Sequence, residues 1–279
     1  MKYVLYNPIS GHGKSLDYAK SYESKAKNEA VEIIDMTTIG SYSDFIKGLK
    51  EEDSILISGG DGTINRFIND TKEIEIKNPI YYYPSGTGND FCVDIGKSQD
   101  CEPFLLNDYI KNLPTVTVKG KSYKFINGVG YGIDGYCCEV GDKLHAEGKV
   151  PNYTKIAILG LLFHFKPTNA TVIVDGKEEK YKKVWIAPTM YGNHYGGGMI
   201  PTPEQKRGSD ELSLMIFHGS GKLKTLMIFP SIFKGEHVKN TKYVKTIKGK
   251  TITVKFDRPT PLQIDGETVL DVLEYTATI

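Results

Sequence analysis

Five consecutive residues, Gly59-Gly60-Asp61-Gly62-Thr63, have the composition of a phosphate site. Glycines let a backbone turn tightly and come close to a polyphosphate, whose charge then meets exposed N–H groups and a helix start. Asp61 stands where a Mg²⁺ bridging phosphates needs a carboxylate. The alternative is a tight strand-to-helix turn with Asp61 as a capping residue, and these five residues alone favour it. Two more clusters shift the balance, Asn7-Pro8-Ile9-Ser10-Gly11 and Ser85-Gly86-Thr87-Gly88-Asn89-Asp90, each closing an apolar run. Near the other end, Asp265 and Glu267 lie two apart after the alternating residues 261–264. Extended chain would point both to one face. There they could take the proton of a hydroxyl attacking a phosphoryl group. Asp265-Gly266 is equally the signature of a hairpin turn with two solvated acids, and that segment alone favours the turn. Asn89 and Asp90 could cap a following turn, and Lys14 could be a solvated helix-start lysine. Two near-misses are set aside. Gly13-Lys14-Ser15 lacks the earlier glycine of a P-loop, because residue 8 is Pro8, and Gly86-Thr87-Gly88 meets Phe91 where a dinucleotide fingerprint needs its third glycine.

The elements that must place these residues follow a strand–helix rhythm. Apolar runs at 3–6, 31–36, 54–58 and 80–83 read as strands, and residues 15–30, 42–49 and 64–69 as helices. Three of the strands end in Gly- or Asn-rich turns, as in an open parallel sheet that binds ligands at its carboxyl edge. From about residue 115 the pattern becomes alternating. Strands are expected at 115–118, 171–174, 184–187, 212–217, 250–256 and 273–278, with helical stretches near 142–145 and over 154–165. The expected fold class is α/β, an N-terminal open parallel-sheet domain over 1–114 followed by a β-rich, sandwich-like domain over 115–279.

The chain of 279 residues has 35 basic and 34 acidic side chains, 39% hydrophobic residues and a mean hydropathy of −0.31. That excludes a disordered chain and argues against a nucleic-acid binder. Glycine is in excess, with 29 residues. The four cysteines form no CxxC pair or zinc spacing, and the longest apolar run, 156–165, is too short to span a bilayer. A reduced, cytoplasmic protein is expected. Residues 222–255 hold nine lysines and one acid among leucines, isoleucines and phenylalanines, leaving the remaining chain at −7. Such a segment suits an anionic membrane surface, although packed elements with lysines on the wet side are commoner.

The ordered set of Asn7-Pro8-Ile9-Ser10-Gly11, Gly59 to Thr63 with Asn65, and Gly86 to Phe91 resembles the diacylglycerol kinase catalytic-domain family. The likeness continues through residues 127–134, 233–237 and 263–267 and so covers nearly the whole chain. The family includes bacterial soluble lipid kinases and is similar to sphingosine and ceramide kinases. The resemblance implies ATP and Mg²⁺ as co-substrates, a lipid hydroxyl as acceptor, and an active site between an α/β domain and a sandwich-like domain. By position, Asn7, Ser10, Gly11, Thr37, Gly59, Gly60, Asp61, Gly62, Thr63 and Thr87 would hold the nucleotide. Asp61 would serve the metal, and Asp265 and Glu267 would be the catalytic pair. Lys14, Asn89 and Asp134 fall on a supporting polar network. The partners implied are a lipid substrate and a membrane surface met peripherally through 222–255. No nucleic acid is expected, and a homodimer is compatible with the sequence.

The chain departs from that pattern in three places. Arg66 stands where the family has Glu. Ser213 replaces one expected ligand of a structural Mg²⁺, so that metal is not expected. The family's terminal segment, which often returns to the first domain, is expected to be absent or abbreviated here. An NAD kinase sharing the GGDGT turn, and a non-catalytic nucleotide- or lipid-binding member, are the alternative readings.

Overall fold

The computed structural model describes residues 1–279 apart from Ile9, Asn28 and Thr87, and of Gly11 and His12 only the backbone. The chain divides into two compact units, Met1–Leu113 and Pro114–Ile279.

The first unit contains β1 (Lys2–Tyr6), α1 (Ser15–Lys25), β2 (Val31–Asp35), α2 (Tyr42–Lys47), β3 (Ser54–Gly59), α3 (Asp61–Asp70), β4 (Ile80–Pro84), α4 (Asp90–Asp94), β5 (Phe104–Leu105) and α5 (Asn107–Ile110). Its sheet runs β2-β1-β3-β4-β5, with the first four strands parallel and β5 antiparallel at the edge. The central strand β3 is buried along nearly its whole length, as its unbroken apolar run requires when both faces are covered. Val4, Leu56 and Tyr83 from three strands pack with Ala19 of α1. Because the four strands are parallel, Tyr6, Asp35, Gly59 and Pro84 all end on one edge. The order changes direction between β1 and β3, the switch point where such sheets take ligands.

The second unit begins with β6 (Thr115–Val118), β7 (Lys121–Lys124), β8 (Gly128–Tyr131) and α6 (Ile133–Ala146). Next comes α7 (Tyr153–Leu159), which runs into a π-helical turn over Gly160–His164, then β9 (Thr168–Val174), β10 (Lys177–Val184) and β11 (Thr189–Met190). The unit closes with β12 (Leu212–Phe217), α8 (Lys222–Ile228), two 3-10 turns, β13 (Val244–Gly249), β14 (Thr251–Ile264) and β15 (Glu267–Thr278). Its sheet follows β13-β12-β11-β8-β14-β15-β6-β7, with β9 on β14 and β10 on β9. The first half of β14 pairs with β9 and its end with β8. The register against β15 shifts between Lys255 and Thr260 and again before Leu262, around Pro259 and Pro261. Proline has no N–H to give the ladder, so one long strand can change neighbours there. Lys119-Gly120, Asp175-Gly176 and Asp265-Gly266 all have positive φ at both positions and join successive antiparallel strands. This is the left-handed turn that matches strand twist.

Three expectations shift. The first helix ends at Lys25 rather than near residue 30. The third begins at Asp61 rather than Ile64, because Thr63 N–H already closes onto the Gly60 carbonyl at 2.9 Å. The strands β5, β7, β8, β11 and β13 lie outside the expected set, and of the expected strand 184–187 only Val184 is strand, as the end of β10, which runs from Lys177. β7 and β10 are lysine-rich and largely exposed, and β8 is half glycine, so none carries a clean apolar alternation.

Candidate active site

The glycine clusters converge. Gly60 at the end of β3 donates its N–H to Ser10 Oγ at 3.1 Å, tying the β3 turn to the 3-10 turn after β1. Ser85 N–H reaches the Gly59 carbonyl at 2.8 Å, joining the ends of β3 and β4. A Cβ added at Gly86 would lie 2.5 Å from the Gly60 Cα, so two loop backbones touch where no side chain fits. Gly59 is equally constrained, since a Cβ there would strike the buried Thr63 side chain at 2.2 Å. The result is a bare, backbone-lined junction at the switch point, backed by the start of the ten-residue helix α3.

Asp61 does capping work, but not for its own helix. Its carboxylate accepts the amides of Asp90 at 2.7 Å and Phe91 at 3.2 Å, the first amides of α4. Asn89 cannot cap α4 with its own side chain, because its left-handed backbone turns that side chain elsewhere. Its Nδ2 donates to the carbonyls of Gly86 at 3.0 Å and Gln99 at 2.8 Å, and its Oδ1 accepts from Tyr82 OH at 3.3 Å. The same hydroxyl donates to the Gly59 carbonyl at 3.0 Å, and burial pushes its pKa well above the usual tyrosine range. Tyr82, which the sequence reading passed over, thus locks both glycine loops from beneath.

The other expected nucleotide residues lie on the same edge. Asn7 follows β1, is buried, and its carbonyl receives Ser10 N–H at 3.0 Å and the Ser15 hydroxyl. Gly11 is in the 3-10 turn Ser10–Gly13, and Gly62 is the second residue of α3. Thr37 is exposed beyond β2, its N–H and hydroxyl both held by Asp35 Oδ1 at 2.8 and 2.7 Å. Thr87 lies outside the described residues. Lys14 is exposed at the start of α1. Arg66 points outward from α3, paired with Asp70 at 3.5 Å.

In the second unit Asp265-Gly266 is the hairpin turn between β14 and β15. The turn that this segment alone favoured is therefore formed, and the alternative of Asp265 and Glu267 on one face of an extended strand is not. The left-handed backbone at both turn residues breaks the two-residue alternation. Nor is Asp265 a solvated turn acid. Its carboxylate accepts the amides of Ile126 at 2.5 Å, Asn127 at 2.8 Å and Gly128 at 2.9 Å, pinning the turn to the entry of β8. Glu267 begins β15 and is exposed.

A polar chain runs inward from this turn. Gly266 N–H donates to Gln263 Oε1 at 2.7 Å, and Gln263 Nε2 donates to Asp134 Oδ2 at 3.0 Å. Asp134, the second residue of α6, is buried against Gly130, where a Cβ would fall 1.4 Å from its carboxylate oxygen. Burial raises its pKa to about 6, against the pull of Gln263 and Tyr195. On the other side Arg207 Nη2 reaches Asn127 Oδ1 at 3.0 Å, Nη1 bonds the Ile126 carbonyl, and the guanidinium stacks on Tyr191. Arg207 has no local motif to announce it, and Gln263, although it opens the 263–267 segment of the likeness, has no sequence signal for this role. Only the tertiary fold brings them to the turn.

Ser213 is buried on β12 and donates to Gln205 Oε1 at 2.5 Å. Gln205 Nε2 in turn reaches the carbonyls of Tyr191, Lys206 and Glu211 at 3.2, 3.3 and 3.0 Å. A neutral amide gathers the carbonyls of this loop.

Comparison with known proteins gives two adjoining matches. Residues 2–116 match the model of the diacylglycerol kinase catalytic domain, and residues 127–275 that of the YegS C-terminal NAD kinase beta sandwich-like domain. A diacylglycerol kinase of Mycobacterium tuberculosis is 26% identical over 267 residues, covering 90% of this chain and 84% of the relative. One of Bacillus subtilis is 24% identical over 274 residues, covering 95% and 88%. A crystal structure of a diacylglycerol kinase from Bacillus anthracis superposes with a TM-score of 0.61 at 17% identity, covering 99% of this chain and 93% of that one. At that identity the superposition speaks for the fold, an α/β unit followed by a β-rich one.

Proposed function

The chain belongs to the diacylglycerol kinase catalytic-domain family, and from that premise we propose that it is a lipid kinase moving the γ-phosphate of ATP to a hydroxyl of diacylglycerol or a related lipid. The observation that carries the reading is the backbone-lined junction of Gly60, Gly86 and Ser10 at the switch point of the first sheet. Glycine loops that converge on the start of a ten-residue helix suit a polyphosphate, which they let approach the backbone and the helix N-terminus. Asn7, Ser10, Gly11, Thr37, Gly59 to Thr63 and Thr87 form the proposed nucleotide edge.

Mg²⁺ would supply charge neutralisation between phosphate oxygens. Among the described residues no group of three His, Cys, Asp or Glu side chains gathers to cage a metal. Mg²⁺ bound through phosphates needs only one or two carboxylates. Asp61 is placed for that part, because it opens α3 beside the glycine loops and two amides fix the orientation of its carboxylate. In the second unit Asp265 and Glu267 are the proposed acceptors of the hydroxyl proton. The three amides on Asp265 hold the turn still, and Glu267 is the more exposed carboxylate. Among the described residues no helix is long and apolar enough to cross a membrane. Residues 222–255, basic and studded with apolar side chains, are the proposed peripheral contact with a membrane surface, reached from the cytoplasm.

The test is transfer of labelled γ-phosphate to a panel of lipids in neutral detergent micelles. Glu267→Gln is expected to lower kcat by about 10²–10⁴-fold without moving the melting temperature, as for loss of a proton acceptor. ATP binding without transfer to any lipid would overturn the reading, and transfer to NAD instead would assign the other activity.

A further inference from the structure

The second unit leaves an apolar surface uncovered. On α8, Thr225 and Ile228 are buried, while Leu223 and Met227, one turn apart, are 74% and 75% exposed. A helix packed on one face normally turns polar side chains to water. Phe163, on the π-helical turn after α7, is 68% exposed, whereas Leu161 and Phe165 beside it are buried in the same core as Ile228 and Ile232. Lys222 Nζ donates to the Leu162 carbonyl at 2.7 Å and ties α8 to that turn. Ile158 and Leu159 at the end of α7 and Phe233 after α8 extend the exposed surface. Isolated exposed apolar side chains need no explanation, but a contiguous set of this size marks a contact.

The charge around it is one-sided. Residues 148–174 and 219–235 contain six lysines and no aspartate or glutamate, and one of the six, Lys149, pairs with Glu147 at 2.6 Å. The lysines farther along the basic stretch differ. Lys239, Lys245, Lys250 and Lys255 pair with Glu236, Glu179, Asp210 and Glu274 at 2.9, 2.6, 3.2 and 3.8 Å. The fold thus divides residues 222–255 into a part rich in ion pairs and a basic, apolar part, and adds the α7 turn to the latter.

We infer that the surface formed by α7, its π-helical turn and α8 docks onto an anionic lipid bilayer, with Phe163, Leu223 and Met227 entering the headgroup–acyl boundary and lysines facing the phosphates. Exposed apolar side chains on segments that carry lysines and no acid match that boundary in both polarity and charge. The choice of a bilayer as occupant rests on the lipid-kinase reading.

Sedimentation of the full chain with phosphatidylglycerol–phosphatidylcholine vesicles tests it, alongside kinase assays in neutral micelles. The wild type is expected to bind, and both Phe163→Asp and Leu223→Asp/Met227→Asp to lower the partition coefficient by at least about tenfold. Melting temperature and micelle activity should be unchanged, since these side chains face solvent. Lys224→Glu/Lys234→Glu should flatten the salt dependence of binding. Wild-type failure to bind, or variants binding as the wild type does, would overturn the inference. So would a wild-type dimer that the aspartate variants split, which would make a second copy the occupant. Vesicle binding without kinase activity would leave the docking surface standing and remove the lipid-kinase reading.

Discussion

Two aspartates show how a residue's type can be read while its partner cannot. Asp61 and Asp265 each bind backbone amides far along the chain, Asp90 and Phe91 for one, Ile126 to Gly128 for the other. No local pattern encodes those partners, so the sequence could offer only a metal or acid–base role against a local cap or turn. The geometry makes Asp265→Asn a poor probe of proton transfer. An amide NH₂ would oppose at least one of the three N–H donors, so the variant is expected to lose about 1–3 kcal/mol of stability as well as activity. Chemical denaturation should separate it from Glu267→Gln, expected within about 0.5 kcal/mol of wild type. Equal midpoints for the two would show that the amide cradle contributes nothing. Asp134 carries a pH signature. Burial lifts its pKa from the ordinary 3.8 to about 6, so the folded state holds the proton more tightly than the unfolded chain. The stability this confers is fully present below about pH 4 and lost as pH rises through about 6, by at most about 3 kcal/mol. The groups facing it, Tyr195, Cys137 and Cys138, all have pKa values pushed upward by burial, so they add no titration in that window. Asp134→Asn should therefore gain stability relative to wild type between pH 4 and pH 7. Parallel stability curves over that range would refute the burial argument.

At the scale of elements, the first unit was legible because its parallel strands are short apolar runs, three of the four closed by a glycine or asparagine turn. The second was legible where a strand carried an apolar run or alternation, as β12 and β14 do. Lysine-rich β10 and glycine-rich β8 owe their pairing to neighbours rather than to propensity. Glycine had two meanings that sequence alone merges. At Gly40 an added Cβ meets nothing within 4 Å, whereas at Gly86 it meets the Gly60 backbone at 2.5 Å. Gly86→Ala should accordingly push the β3 and β4 turns apart, strain the Gly60–Ser10 bond and cost about 1–3 kcal/mol. ATP affinity should fall with it. Gly40→Ala should leave both unchanged. Urea denaturation with nucleotide titration checks the pair, and equal behaviour of the two variants would dissociate the loop contact from binding.

Across the whole molecule, a net charge of +1 conceals a division. Residues 1–113 hold 12 basic and 18 acidic side chains, and residues 114–279 hold 23 and 16, so the two units carry −6 and +7. Near-neutrality would predict indifference to an anionic surface; the division predicts attraction through the second unit alone. Screening then becomes the diagnostic. The Debye length falls from about 10 Å at 0.1 M salt to about 3 Å at 1 M, which removes attraction between the lysines and a charged bilayer while leaving apolar contacts in place. Activity toward a lipid carried in anionic vesicles should therefore drop steeply between those concentrations. Activity toward the same lipid in neutral micelles should hold, because a neutral surface offers those lysines no charge to meet. Parallel salt profiles for the two presentations would place the salt effect at the nucleotide or the metal, and would show that the charge of the second unit plays no part in reaching the substrate.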